Sequence, residues 1–426
     1  MKRCLMCAAL GAALSGTACD QELPTAVGGR LLPANAIRTY EVFLEPERYL
    51  AFDTAFGLYS LPSDADYVIV ANSYGGSLNS RALLRYELPR TIIVIDAQGI
   101  LRTDSMPHFI GGDVRLIVDT AASTRTDAAL QLFRTTESWD RSSATWSLRV
   151  DTSGVRVPWT VRGGSPGALV STTAYEAGRD TVLLPVDSAT VVEWADTSQR
   201  ATGVIVASST ADTRFRSALP VLLVRARSSI RPDTVVEMLV APGRTFIFEP
   251  EPPDSAAAPR VGGTPAWRTI MRLRERLDTV TVACPGSASC RIRISAASIT
   301  YAALQLQPVP APAGFEPELP LELVANAVLP QTSVPLQRSP ITEAVGGILS
   351  PVPVSSFRLA GAPVVELIMT ELMRAAFASP IASEPIRPSH FALLQTGASR
   401  TFGFGTFAER PRLRLILSYS SQLELP

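Results

Sequence analysis

The sequence has 426 residues, which at roughly 100–200 residues per domain suggests two or three domains. Lysine plus arginine balances aspartate plus glutamate at 39 each, so the chain lacks the basic excess that a nucleic-acid partner requires. Lys2 is the only lysine, and the only histidines are His108 and His390. These counts exclude Schiff-base chemistry, a P-loop and a histidine-rich metal site. We therefore expect a protein that is not an enzyme.

Residues 1–18 have the pattern of a secretory signal peptide. A basic start is followed by an apolar run that is too short to span a bilayer, and then by small residues before Cys19. The segment resembles a bacterial lipoprotein signal, which implies cleavage before Cys19 and acylation of that cysteine. The alternative is an ordinary signal peptide that leaves Cys19 as a free thiol. We interpret residues 19–40 as a tether. We expect an exported protein held in the cell envelope by its lipid, at the outer membrane or facing the periplasm.

The rest of the chain is dominated by short alternating runs separated by Gly, Pro, Asn, Asp or Ser, which predict strands joined by turns. The clearest runs are residues 66–70, 82–86, 114–118, 130–133, 204–206 and 221–224. Only two brief segments favour helices, 188–195 and 370–377, and each begins with Ser or Thr that can cap the first turn. The pattern predicts an all-β protein made of antiparallel, jelly-roll-like β-sandwiches.

A weak internal repeat appears at a shift of roughly 180–190 residues. Residues 81–85 align with 268–272, and the strand and helix segments that follow align in the same order. The repeat predicts two tandem sandwiches, at residues 41–230 and 231–421. The Pro- and Ala-rich stretch 249–265 then becomes a loop inside the second copy, with an interdomain linker as the alternative.

Two cysteines outside the leader, Cys284 and Cys290, flank a Pro-Gly turn between two strand-like runs. A disulfide at the mouth of such a hairpin is geometrically reasonable and suits an oxidising compartment. The alternative is a metal pair, but two sulfurs without a nearby histidine make a poor zinc site.

The most distinctive segment contains Trp139 and Trp146, followed by Trp159 and by a short helix that ends near Trp194. Together with an early Arg-rich strand at residues 81–89, these elements resemble the DNRLRE domain, a β-sandwich related to carbohydrate-binding module family 96. The resemblance covers about residues 40–228 and is weaker in the second copy, which lacks the tryptophan turn. It implies a sandwich fold and a link to polysaccharide, but it transfers no sugar-binding residue to this chain.

Each candidate site residue has a structural and a functional interpretation. We favour packing for Trp139, Trp146 and Trp194, while Trp159 and Trp267 are the candidates for stacking on a sugar. Arg85 and Arg272 lie at matching strand positions, where each could pair with a uronate carboxylate or serve structure. The acidic segment 63–66 could give oxygen ligands to a structural Ca²⁺, without the ligand count of a recognisable loop. We expect no catalytic residue and no other metal or cofactor.

These observations predict a lipid-anchored, non-enzymatic envelope protein. Its expected partner, besides the membrane, is a polysaccharide. The alternative is a structural or assembly protein that contacts another envelope protein. A hydrolase with an unrecognised site is the third and weakest hypothesis.

Overall fold

The computed structural model describes residues 37–195, 202–274, 277–284, 287–342, 349–378 and 388–420. The leader, Cys19 and the tether up to residue 36 lie outside these ranges, so the lipoprotein signal stays a prediction. No helix in the described ranges has both the length and the apolar composition needed to cross a bilayer.

The structure confirms the all-β class. The strands are β1 (Ile37–Leu44), β2 (Leu50–Phe56), β3 (Tyr67–Tyr74), β4 (Leu78–Arg85), β5 (Ile92–Ile95), β6 (Leu101–Asp104), β7 (His108–Val118), β8 (Ala128–Thr135), β9 (Leu148–Thr152), β10 (Val155–Pro158), β11 (Pro166–Tyr175), β12 (Thr181–Val186), β13 (Val204–Ser208), β14 (Thr213–Arg227), β15 (Val235–Val240), β16 (Gly243–Glu249), β17 (Ser255–Ala256), β18 (Arg260–Gly262), β19 (Arg268–Leu273), β20 (Thr279–Cys284), β21 (Ser287–Arg293), β22 (Ile299–Leu306), β23 (Pro308–Val309), β24 (Leu321–Val328), β25 (Ser350–Val352), β26 (Val365–Ile368), β27 (His390–Gln395), β28 (Phe404–Phe407) and β29 (Arg412–Ser420). The α-helices are α1 (Pro46–Tyr49), α2 (Ser188–Ala195) and α3 (Thr370–Phe377). Single 3₁₀ turns occur at Pro62–Asp64, Leu336–Arg338, Val354–Phe357 and Ala398–Arg400.

The first sandwich consists of two antiparallel layers, with strand orders β15-β14-β7-β12 and β16-β4-β13-β8-β11. Strand β3 pairs with both β14 and β4 and so joins the two layers. Successive side chains on a strand point to opposite faces, so every second residue can face the other layer. The buried core between the layers includes Leu84, Val114, Leu132, Val204 and Leu222.

The second sandwich is built in the same way. Its layers have the orders β1-β29-β22-β26 and β2-β19-β27-β24-β25, with the short β17 also paired to β2. The core between them includes Met271, Leu304, Leu323, Leu393 and Leu415.

Nine strands of each sandwich have the same pairing order in the other sandwich. The equivalent pairs are β15 and β1, β16 and β2, β4 and β19, β7 and β22, β8 and β24, β11 and β25, β12 and β26, β13 and β27, and β14 and β29. Helices α2 and α3 occupy the same place in chain order, and so do the hairpins β5–β6 and β20–β21. Residues 81–85 and 268–272, which the internal repeat aligns, lie in the equivalent strands β4 and β19.

The sandwiches exchange their first two strands. Strands β1 and β2 precede the first sandwich in the sequence, yet they pair with β29 and β19 of the second. Strands β15 and β16 precede the second sandwich, yet they pair with β14 and β4 of the first. The short turn between β14 and β15 favours this pairing, because a short loop costs little entropy to close. The second sandwich is completed by the remaining pair, β1 and β2.

This exchange corrects the division expected from the sequence. Residues 41–56 belong to the sheets of the second sandwich rather than to the first copy, and residues 235–249 belong to the first rather than to the second. Residues 37–40 of the expected tether are part of β1. The stretch 249–265 begins at the end of β16 in the first sandwich and contains β17 and β18, which pair with β2 and β28. It therefore crosses from one unit to the other and is not a loop inside the second copy.

The two sandwiches also share a packed junction. Phe402, from a loop of the second sandwich, contacts both Phe246 and Phe248 of β16, and Phe315 contacts Phe248, with ring centroids 5.7–5.9 Å apart. Beside these rings, the Glu318 carboxylate of the second sandwich is fully buried and accepts a hydrogen bond from Arg216 Nη1 at 2.9 Å. Burial raises the pKa of Glu318, and the nearby charges of Arg214 and Arg216 oppose this rise.

Candidate functional site

The tryptophan loop, residues 136–165, covers the outer face of the β16-β4-β13 layer. Trp139, Trp146 and Trp159 are buried there against three aliphatic side chains of the sheet, Leu83, Ile205 and Ile247. The aromatic rings therefore cover a second apolar layer outside the sandwich core. Burial of such large rings stabilises a long loop that has little regular structure of its own.

Two strand arginines hold the loop from below. The Arg81 guanidinium lies 5.0 Å from the Trp146 ring centroid, and its Nη1 donates to Gly163 O at 2.6 Å. The Arg85 guanidinium lies 4.6 Å from the Trp139 ring centroid, and its Nη2 donates to Trp139 O at 3.1 Å. Burial lowers the pKa of Arg81. Arg85 thus packs against the tryptophan loop. The sequence had left open whether it serves structure in this way or contacts a uronate.

Two carboxylates fix the shape of the loop. Glu137 accepts hydrogen bonds from the Thr160 amide at 2.9 Å and from the Ser165 hydroxyl. Asp140 accepts hydrogen bonds from the Ser142 and Ser143 hydroxyls at 2.6 and 2.8 Å. Burial raises the pKa of Glu137, but these hydrogen bonds outweigh it and the net pKa is lowered. The hydroxyls of Ser142 and Ser143 lower the pKa of Asp140. These hydrogen bonds therefore hold the loop in one defined shape.

The candidate stacking residues are buried. Trp159 is 4% exposed and its Nε1 donates to Thr145 O at 2.9 Å. Trp267 is 1% exposed, near the junction, with its ring against Phe404 and Arg260. A buried ring cannot present a face to a sugar, so neither residue can act as the stacking platform that the sequence suggested. Trp194 lies inside the first core, stacked on Tyr86.

The other predicted residues are dispersed. Arg272, on β19, is exposed. Burial of His390 on the neighbouring strand lowers the pKa of its imidazole, and the nearby charge of Arg272 lowers it further. Cys284 and Cys290 form the predicted disulfide across the β20–β21 hairpin, with Cα atoms 5.8 Å apart. In the segment 63–66, Asp64 accepts a hydrogen bond from Leu61 N. The described residues contain no cluster of three or more His, Cys, Asp or Glu side chains that could hold a metal ion.

A cleft of about 1020 Å³ lies between the tryptophan loop and the two segments that cross between sandwiches, residues 57–66 and 250–267. These two crossover segments are hydrogen-bonded to each other, from Gly57 N to Asp254 O at 3.0 Å and from Tyr59 N to Ala266 O at 3.1 Å. The cleft therefore lies at the place where the strand exchange occurs.

The cleft combines apolar side chains with a set of polar groups. Its carboxylates are Asp64, Asp151, Glu251 and Asp254, its cations are Arg156 and Arg338, and its hydroxyls include those of Thr145, Thr152 and Ser153. Asp151 is paired with Arg156 at 3.0 Å, and Glu251 accepts a hydrogen bond from Ser147 N at 2.9 Å. Among the described residues that line the cleft there is no histidine, cysteine or lysine. Such a surface can accept hydrogen bonds from a polyhydroxylated ligand, because carboxylate acceptors bind hydroxyl groups strongly.

Sequence reasoning missed this cleft. Its walls come from the tryptophan loop and from both crossover segments, which meet only because the strands are exchanged. The one local indication of a polar site was the high content of Ser and Thr between residues 142 and 153.

Comparison with known proteins gives no relative on which to base a function. No protein-family model, no curated protein and no solved structure matches the chain. The resemblance of residues 40–228 to the DNRLRE domain therefore stays a prediction. The candidate site rests on the geometry of the cleft alone.

Proposed function

We propose that the protein is a lipid-anchored, non-enzymatic component of a bacterial cell envelope that binds polysaccharide in the cleft. The observation that carries the proposal is the cleft itself, about 1020 Å³ in volume and walled by a rigid loop that is rich in hydroxyl and carboxylate groups. A cleft of about this size with a few fixed polar groups is the first candidate for a ligand-binding site. The leader and Cys19 supply the argument for export and anchoring, and the resemblance to the DNRLRE domain supports the ligand class.

With the tryptophans buried, sugar recognition has to come from hydrogen bonds. Asp64 and Asp254 are exposed carboxylates of the crossover segments, and Thr152 and Ser153 are exposed on the opposite wall. A sugar chain lying between these walls would meet acceptors on both sides. We assign Trp139, Trp146 and Trp159 the task of keeping the wall rigid, which reduces the entropy lost on binding.

A blocking substitution tests the site. Ser153→Trp places a large ring on the exposed β9–β10 turn, and we expect it to weaken polysaccharide binding by about tenfold or more. The matched control is Ser289→Trp, which adds the same ring to an exposed serine of the β20–β21 hairpin. Binding is measured on an array of bacterial polysaccharides, with mass spectrometry of the amino-terminal peptide to detect acylated Cys19.

Three outcomes would overturn parts of the proposal. A blank array, or equal binding by both variants, would remove the cleft as a polysaccharide site. Breakdown of the polysaccharide would show an enzyme. An unmodified Cys19 would remove the lipid anchor.

A further inference from the structure

The β5–β6 hairpin exposes an unusual concentration of aliphatic side chains. Ile93, Ile95 and Leu101 point away from the first sandwich, and each is more than half exposed. Ile100 at the tip and Met106 just after β6 are also more than half exposed. We call these five side chains the aliphatic face. Contiguous exposed apolar surface of this kind on a folded protein marks a contact surface.

The aliphatic face is held rigidly. Ile92 and Val94, on the opposite side of β5, are buried in the core of the first sandwich. Asp96 closes the tip, because its Oδ1 accepts hydrogen bonds from the amides of Gln98 and Ile100, both at 2.9 Å. The hairpin is thus fixed to the sandwich from its inner side.

Asp104 fixes the other end of the hairpin to the turn between β14 and β15. Its carboxylate accepts hydrogen bonds from the Ser228 hydroxyl at 2.9 Å and from the amide and hydroxyl of Ser229, both at 2.6 Å. Because the hairpin is anchored at both ends, its outward side chains cannot fold back into the core. Their exposure is built into the structure.

The equivalent hairpin of the second sandwich has a different surface. On β20–β21 the exposed, outward-pointing residues include Thr281, Arg291 and Arg293, and no large aliphatic side chain is among those described there. Both hairpins have the same place in the fold, so the fold does not require an apolar outer face there. The aliphatic face is a property of the first hairpin alone.

Charge distinguishes between the partners that could cover this face. The two acidic side chains of the hairpin, Asp96 and Asp104, are buried and hydrogen-bonded. Arg102 is paired with Asp96 at 3.0 Å, yet its side chain stays more than half exposed beside the tip. Arg231 of the adjacent turn contacts Ile95 O. Aliphatic side chains with arginines at their border suit an anionic lipid surface, which attracts cations and takes up methylene groups. A second copy of the chain would instead bring arginine towards arginine.

We propose that the aliphatic face inserts into the surface of an anionic bilayer. This inference depends on the lipid anchor of the proposed function. Residues 19–36 would connect an acylated Cys19 to β1, and 18 residues span at most about 60 Å when fully extended. The anchor would keep the start of β1 within this distance of the bilayer and so hold the whole protein near it, where a weak affinity of the hairpin is enough for contact. The contact would orient the first sandwich on the membrane.

The test uses the unacylated mature chain, starting at residue 19 with Cys19→Ser, so that binding by the hairpin is measured without the lipid. Flotation with vesicles of phosphatidylethanolamine and phosphatidylglycerol in equal parts gives the bound fraction. We expect Ile95→Ser combined with Leu101→Ser to lower the partition coefficient by about tenfold or more, because each methylene removed from the bilayer weakens binding. The expected binding is also weaker on vesicles of phosphatidylcholine alone.

The matched control is Leu359→Ser combined with Val364→Ser, two exposed aliphatic residues of the second sandwich. The control variant is expected to bind like the unsubstituted chain, and thermal unfolding checks that both variants are folded. Equal loss in both variants, or no vesicle binding by the parent chain, would overturn the inference. Self-association that disappears in the hairpin variant, without vesicle binding, would identify a second copy as the occupant instead. These measurements use neither acylated protein nor polysaccharide. Their outcome is therefore independent of whether the proposed function is correct.

Discussion

The two sandwiches share one strand order but carry different additions. In the first, a loop with three tryptophans covers the outer face of the β16-β4-β13 layer. In the second, the equivalent face has only a small cluster around Ile270, Val328 and Ala392. The first hairpin is held by buried carboxylates and is aliphatic outside, whereas the second is closed by a disulfide and is polar outside. The sheets therefore define the fold, and the loops and hairpins placed on them differentiate the two units.

The strand exchange makes each unit depend on a segment that is distant in the sequence. The second sandwich takes Leu44 and Tyr49 from the start of the described chain into its core. The first takes β15 and β16 from beyond its own last strand, β14. The chain is thus two sandwiches in topology, but it cannot be cut into two intact sandwiches at any single peptide bond.

Deleting residues 37–56 should have the largest effect, because it removes β1 and β2 from the second sandwich. Val42, Leu44, Tyr49 and Leu50 leave its core, and at about 2–5 kcal/mol for each large side chain the loss exceeds the net stability of a typical domain. We expect amide hydrogen exchange to become fast in β19, β22 and β29, while β4, β7 and β13 stay protected. Adding the peptide 37–56 in trans should restore protection. Loss of protection in the first sandwich instead would contradict the exchange.

Glu318→Ala should destabilise the junction between the sandwiches by about 3–5 kcal/mol, since it leaves the buried guanidinium groups of Arg214 and Arg216 without their shared carboxylate. Chemical denaturation followed by far-ultraviolet circular dichroism measures the change. The control is Glu371→Ala, which breaks an exposed ion pair with Arg374 and should cost less than about 1 kcal/mol. Equal costs would mean that the buried pair contributes no more than a surface pair. A larger cost with two separate transitions would show that Glu318 couples the units.

Part of this architecture could be predicted from the sequence. Alternating runs predicted the strands, and the repeat correctly placed residues 81–85 and 268–272 in equivalent strands. The exchange could not be predicted, because backbone hydrogen bonds do not identify a partner strand and both sandwiches offer an apolar edge of the same pattern. The cleft was missed for the same reason, since two of its walls are crossover segments. The aliphatic face had a signal, the run Ile92–Ile95, which is apolar on both faces of β5.

The two hairpins are held to their sandwiches by different chemistry, and we expect the smallest effect from disturbing the carboxylate of the first hairpin. Burial raises the pKa of Asp104, but hydrogen bonds from Ser229, Met106 and Ser228 outweigh it and lower the pKa to about 2. Because the pKa in the folded state is lower than the unfolded value of about 3.9, this carboxylate stabilises the fold above that value, and the stabilisation is lost as the pH falls towards 2. We expect the first hairpin to lose hydrogen-exchange protection in this acidic range.

Asp104→Asn should reproduce the effect of acid at neutral pH, at a cost of about 1–3 kcal/mol, because charged hydrogen bonds are replaced by weaker ones. The β20–β21 hairpin is the internal control: its disulfide does not titrate, so it should stay protected in acid and loosen only when Cys284 and Cys290 are reduced. If reduction loosened both hairpins, or if Asp104→Asn left the first hairpin unchanged, the carboxylate would not be what holds it. Acid sensitivity confined to one hairpin and redox sensitivity confined to the other would show that equivalent positions in the two units are stabilised by unrelated chemistry.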